Sequence, residues 1–444
     1  MIKNVRLAAS IIILSALLVG VLGCSPGAGP QPASRPNAES KQVTLRFVWW
    51  GGEQRKEATL KAIDLYQKKY PNVKIEPQAY TSYLDLARDL TISTAEQQMP
   101  DLIQGDYSFI FNYINRKLLE PLNPYVEAKT LNLSDVEPLY LAPGKDKDGQ
   151  LYAVNLGNNV QAFMYNADLL AKYKVQVPKE GYTIDDLYAT LKELKTKVKT
   201  PGFVPLGSMI DPVYYMRAKG KSLYSTDGTS LGYDNDRIMT DYFATYQKWR
   251  SEGLVGDLLI STPVANDKNH PLLTGKHAFL TLYSNMVGPL NDFGIAKLKM
   301  LALPKIDSNQ EGHYIKPSMF ISVSSYSKHK EEAVKFIDFI TNDLEANSIL
   351  NAERGVPISK KVYDELLKKA DDGRKEAFTF VDYIKTRSKP IDPPAPRAAT
   401  TISNVFNIQF LAVGSNALTP EQAAQTYRES ANQIFADEKV SNEP

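Results

Sequence analysis

Two rhythms of apolar spacing alternate through the first quarter of the chain. Leu45 to Gly52 (LRFVWWGG) is an apolar run stopped by two glycines, which predicts a strand. In the next segment, EATLKAIDLYQKKY, Ala62, Ile63, Tyr66 and Tyr70 recur on one helical face until Pro71 ends it. Val73 and Ile75 then alternate in a second short strand, NVKIEPQAY. Tyr83 to Gln98 is compatible with a helix and leads through Pro100 into a third strand, Asp101 to Asp106. Strand, helix, strand, helix, strand is the order of an α/β unit with a mostly parallel sheet.

Farther along, a turn signal (Lys145 to Gln150) precedes Leu151 to Asn166, which reads as one unusually long strand that crosses from one lobe to the next. Asp146 and Asp148 there lack the final Glu of a calcium loop, so a solvated Asp-Gly turn is expected, as at Asp227-Gly228. From Asp185 to Gln310 the spacing becomes that of long amphipathic helices, DLYATLKELKTK and MTDYFATYQKWRSEG, with a strand at HAFLTLYSNM. A strand near Phe320 to Val323 and the helix EEAVKFIDFITND repeat the first unit's style. The chain ends in helices, including APRAATTISNVFNIQF, and residues 436–444 read as frayed.

In open sheets of this kind ligands lie beyond the carboxyl ends of the strands. Three such loops in the first unit carry aromatics beside polar groups: Trp49 to Glu53, Gln78 to Tyr83, and Asp106 to Ser108. Flat apolar faces rimmed by hydrogen-bonding groups suit a polyhydroxylated ligand. Because adjacent strand residues point to opposite faces, one of Trp49 and Trp50 belongs in the core and the other near the cleft.

The amino-terminal region changes this picture. Lys3 and Arg6, the apolar run Leu7 to Leu22, and Gly23 follow the order of a secretory signal peptide, and the run is short for a membrane span. Val21-Leu22-Gly23-Cys24 resembles a bacterial lipobox, in which the cysteine is lipidated and becomes the new amino terminus. Cys24 is the single cysteine of 444 residues, so a disulfide or a Cys-based metal site in the body is excluded. Ser25 to Lys41 is rich in Pro, Ala, Gly and Ser and reads as a tether. Loss of residues 1–23 takes the formal charge from +2 to zero, which argues against a nucleic-acid partner. His270, His277, His313 and His329 have no zinc-site spacing, and neither GxGxxG nor GxxxxGK[ST] occurs. No cofactor is expected.

Four segments in register resemble the extracellular solute-binding proteins of carbohydrate ABC importers. They are Trp49 to Glu76, Met99 to Asp106, Met164 to Leu170 and Ser327 to Thr341. The first is most similar to binders of pectin-derived, uronate-containing oligosaccharides. Gln97-Gln98-Met99 stands where those relatives carry a Gly-rich turn, and Tyr107 and Phe109 where many carry tryptophan. The resemblance implies an α/β, two-lobe, periplasmic-binding-protein-like fold with a hinge of crossing segments near Asn158 to Gln161, Lys316 to Phe320, and Arg354 to Pro357. It further implies a first lobe of residues 42–158 and 319–353 and a second of 161–316 and 357–444.

A monomer is expected outside the cytoplasm, held to the membrane by the lipid on Cys24 that the lipobox-like segment implies. Its partners would be an oligosaccharide and the permease subunits and ATPase of an importer. The implied ligand contacts in the first lobe are Trp50, Glu53, Tyr83, Asp106 and Tyr107. Asn158, Asn159 and Gln161 follow at the first crossing, then Asp211, Tyr214, Tyr215, Tyr283 and Asn285 in the second lobe. Arg397 completes the set, where a guanidinium could grip a uronate carboxylate bidentately.

Two other classes compete. A surface-anchored glycoside hydrolase or lyase needs two placed carboxylates, or a base beside a metal. The strand–helix rhythm also stops short of an eight-fold barrel. A structural or adhesive protein would show repeats or long β segments, and neither is visible.

Overall fold

The computed structural model describes residues 42–258, 267–307 and 310–441. Cys24, the signal-like segment and the tether therefore lie outside the described residues. The strands are β1 (Val43–Trp50), β2 (Val73–Tyr80), β3 (Leu102–Gly105), β4 (Val154–Asn155), β5 (Asn158–Asn159) and β6 (Gln161–Asn166). They continue as β7 (Leu206–Ser208), β8 (Val255–Leu258), β9 (Phe279–Tyr283), β10 (Leu298–Leu301), β11 (Lys316–Pro317) and β12 (Phe320–Val323). Two five-stranded sheets result, β2-β1-β3-β12-β4 and β10-β6-β9-β7-β8, with β5 and β11 forming a two-stranded link.

In the first sheet β1 runs parallel to β2 and β3, while β12 is antiparallel to β3 and β4. The period of two sorts β1 between two cores. Leu45, Phe47 and Trp49 enter one core, where Phe47 lies 5.5 Å edge-on from Phe336 of the helix Lys330–Asn342. Val48 enters the other with Leu86 and Ile110, and Trp50 packs at its edge. The second lobe has its own core, built by the helices Ile184–Lys197, Arg237–Ser251, Ala399–Gly414 and Pro420–Ser441 around Phe163, Phe279 and Tyr246.

The segment expected as one long strand is instead three short ones. β4 pairs with β12 in the first sheet, β5 with β11 in the link, and β6 with β9 and β10 in the second sheet. The chain does pass from one sheet to the other here, but it turns at Gly157, where a Cβ would fall 2.8 Å from the Arg354 carbonyl. Beside it, Asn158 and Val356 exchange main-chain hydrogen bonds of 2.8 and 2.9 Å. The three crossing segments thus lie side by side. Gly355 between them has φ +114°.

Two further expectations are corrected. Residues beyond Ala436 continue a helix to Ser441, because Ala424, Tyr427, Ala431 and Phe435 bury one stripe of it. The stretch after 357, expected in the second lobe alone, begins by packing on the first. Ser359 bonds Asp135, and Val362, Phe378 and Val381 join a core that holds Leu131 and Tyr140 together with Leu280, Leu298 and Met300 of the second sheet.

Candidate functional site

β3 ends at Gly105, and the next residue, Asp106, caps the helix Tyr107–Asn115 by accepting the Ser108 amide at 2.9 Å. That cap puts Asp106 and Tyr107 at the carboxyl end of the sheet, where they line a cavity of about 250 Å³. Val213 and Tyr224 of the second lobe line the same space, with Tyr314 and Lys316 from the crossing region and Asp392 from a proline-rich strap.

The strap is held from below. Arg217, 6% exposed, donates to the carbonyls of Gly312 (3.0 Å) and Pro390 (2.9 Å) and to the Asp392 carboxylate. From the other lobe, the Tyr107 hydroxyl donates to the Asp392 carbonyl at 2.9 Å. Burial, and then the Asp392 charge, push the Tyr107 hydroxyl up to about 12, so it remains a donor at any neutral pH.

A second cavity, of about 620 Å³, opens into the second lobe. At its inner end Asp211 caps the helix Pro212–Ala218 through the Val213 amide (2.8 Å) and accepts from the Gln161 amide nitrogen at 2.7 Å. Burial pushes the Asp211 carboxyl up, against the pull of those two hydrogen bonds. Among the described residues the Gln161 side-chain oxygen is buried without a partner. Tyr283 forms part of the wall, and the Lys316 ammonium lies 5.6 Å from its ring centroid. An outer cavity of about 1280 Å³ begins at Tyr107 and is lined by Arg397, Lys145 and Lys147. Aromatic faces, amides and hydroxyls converging from two lobes form a surface suited to a polyhydroxylated molecule.

The structure thus brings together Asp106, Tyr107, Gln161, Asp211 and Tyr283, with Arg397 at the outer end. Asn159 and Asn285 line a different cavity, about 230 Å³, beside Arg55 and Glu353. Asn158 is buried in the crossing, where it accepts from the Asn155 side chain at 2.8 Å. Trp49 is wholly buried and Trp50 half-buried, edge-on to Tyr83 at 5.1 Å, while Tyr83 stacks on Phe109 at 4.4 Å. Neither Trp50 nor Tyr83 lines any of these four cavities.

Glu53 stands exposed on the first turn of its helix, paired with Lys56 at 3.0 Å. Tyr214 and Tyr215 were expected at the ligand and are core residues instead. The helix that Asp211 caps turns both inward; Tyr214 donates to the Leu303 and Pro304 carbonyls, and Tyr215 packs on Tyr242. Sequence reading missed Arg217, Tyr224, Tyr314, Lys316 and Asp392. The Pro-rich run 390–396 was the available signal.

Among the described residues no group of three or more His, Cys, Asp or Glu is placed to hold a metal ion, and no helix is long and apolar enough to cross a membrane.

Residues 51–344 match the family described as bacterial extracellular solute-binding protein. A curated relative, an uncharacterized ABC transporter extracellular-binding protein of Pyrococcus horikoshii, is 26% identical over 198 residues, 43% of this chain and 44% of that protein. The match therefore spans under half the length of that relative. A family 1 extracellular solute-binding protein of Alicyclobacillus acidocaldarius has a similar structure, with TM-score 0.74 and 28% identity over 89% of this chain and 98% of the other. At 21% identity, a periplasmic oligogalacturonide binding protein of Yersinia enterocolitica, solved with saturated digalacturonic acid, shares the fold; its TM-score is 0.72 over 89% and 99%. The fold is the two-lobe α/β architecture of periplasmic binding proteins, and the chain belongs to the bacterial extracellular solute-binding protein family.

Proposed function

We propose that the protein captures an oligosaccharide between its lobes and delivers it to the permease subunits and ATPase of an ABC importer. The observation that carries this reading is the convergence of Asp106 and Tyr107 with Tyr224, Tyr314 and Lys316 on one space between the lobes. The strands beside that space supply the crossings about which residues 42–158 and 319–353 would close on 161–316 and 357–444, driven by contacts available only when both halves meet the ligand. The stretch Lys360–Lys385 would ride at the hinge, since it packs on both.

The ligand contacts we propose are Asp106, Tyr107, Gln161, Asp211 and Tyr283, with Asn159 and Asn285 beside the crossing. Arg397, exposed among lysines in the outer cavity, suits a uronate unit of a pectin-derived chain. The receptor is read as a monomer, and membership of an extracellular family and the lipobox-like Val21 to Cys24 support its lipid anchoring outside the cytoplasm. Binding without chemical change is favoured over a hydrolase or lyase by that same family membership.

Thermal unfolding of the tethered body with neutral and uronic oligosaccharides tests the reading. A bound sugar raises the melting temperature with the logarithm of its concentration, and the sugar is recovered intact. Absence of any shift across both sets, or appearance of cleavage products, overturns it. Replacing Cys24 by Ser should release the protein from the membrane fraction.

A further inference from the structure

The cavities of the cleft differ in charge. Lys117, Lys145, Lys147, Lys439 and Arg397 line the outer one, with Asp146, Asp148, Asp227 and Glu438. Among the described residues the cavity of the second lobe is lined by no lysine, arginine or histidine, and its one carboxylate is Asp211. Lys316 reaches over Tyr283 but lines the central cavity, not this one.

The inner surface is rich in acceptors. Two of the roughly four lone-pair sites of the Asp211 carboxylate are taken, by Gln161 and the Val213 amide. Gln161, 7% exposed, keeps a buried side-chain oxygen without a donor among the described residues. The remaining wall is apolar at Met209, Leu223 and Phe406, faced by uncharged polar groups, the Thr400 and Ser403 hydroxyls and the Asn404 and Asn407 amides of the helix Ala399–Gly414. A ligand carboxylate seated there would lose its water, meet another carboxylate and find no cation. A neutral sugar offers hydroxyl donors to Gln161 and Asp211 and a C–H face to Tyr283.

Resting on the reading of the cleft as a saccharide site, we propose that the second-lobe cavity takes an uncharged, hydroxyl-bearing sugar unit and excludes a uronate. The protein then sorts oligosaccharides by the charge of the unit seated there, and any acidic unit lies toward Arg397. This goes beyond binding an oligosaccharide: it assigns a polarity to the bound chain.

Calorimetric titration of the protein with trisaccharides of equal length tests this: all-neutral, all-uronate, uronate at one end only, and amino sugar at one end. All-uronate chains should bind at least tenfold more weakly than chains with one neutral end. Asn404, exposed on its helix, tolerates substitution without disturbing a core. Asn404→Lys should raise all-uronate affinity at least tenfold.

Equal or tighter binding of all-uronate chains by the natural protein overturns the inference and leaves the saccharide function standing. An unchanged preference in Asn404→Lys overturns its assignment to this cavity. Tighter binding of the amino sugar overturns the uncharged unit in favour of a cation. If no saccharide binds, both readings fall.

Discussion

Tyr107 and Asp392 are joined by a 2.9 Å hydrogen bond from the tyrosine hydroxyl to the aspartate's main-chain carbonyl. Tyr107 belongs to the first lobe, while Asp392 sits on a strap anchored by Arg217 of the second. The bond therefore spans the halves at the mouth of the cleft. Tyr107→Phe keeps the ring and removes this link. A net neutral hydrogen bond contributes about 0.5–1.5 kcal/mol, so the ligand Kd should rise about two- to tenfold by calorimetry. An unchanged Kd would show that the link does not favour the liganded state.

Tyr283 and Tyr214 separate binding from folding. Tyr283 lines the second-lobe cavity, so Tyr283→Ala should weaken binding at least about tenfold, about 1.4 kcal/mol, with a small change in denaturation midpoint. Tyr214 is 1% exposed with its hydroxyl on two carbonyls. Tyr214→Ala should lower stability by about 3–5 kcal/mol in urea unfolding. The reverse assignment of effects would exchange their roles.

Gly355 tests the crossing. At φ +114° a Cβ would fall 2.7 Å from both the Asn158 carbonyl and the Asn159 side-chain oxygen. Gly355→Ala should lower stability by about 1–3 kcal/mol. Gly149 also has positive φ (+84°) but has nothing within 4 Å of that position. Gly149→Ala should cost only the backbone conformation, about 1 kcal/mol, and equal losses would mean that the crossing is not tightly packed.

Stability should fall on mild acidification. Burial holds the His313 imidazole down at about 3, helped by Arg387, and burial holds His270 at about 4. An unfolded imidazole titrates near 6.5, so between these values the unfolded chain binds the proton first. The stabilisation is complete above about 6.5 and is lost as pH falls toward 4 for His270 and toward 3 for His313. Each histidine should take away about 2 kcal/mol between pH 7.5 and 5. Melting temperature against pH measures this, and His313→Gln should flatten the slope.

How much was legible before folding varied from element to element. The β1 strand, its following helix and the return at Phe320 to Val323 could be read because a single period, two or 3.6, decides which side chains are buried. Leu151 to Asn166 could not be read as three strands, since its residues are uniformly apolar or amide and the breaks come from partners far away in sequence. The same holds for Tyr214 and Tyr215. The resemblance puts them in a ligand-facing loop, but Asp211 caps a short helix there, and its phase sets the direction both rings face.

Local chemistry alone therefore sufficed for the α/β alternation and the loops at strand ends, because each depends on neighbours within a few residues. The contents of the cleft did not follow from it. Tyr314, Lys316 and Asp392 reach one cavity only after three distant crossings pair and Arg217 draws the strap across. Which side chains share a desolvated space depends on contacts made hundreds of residues apart, and those contacts exist only in the folded chain.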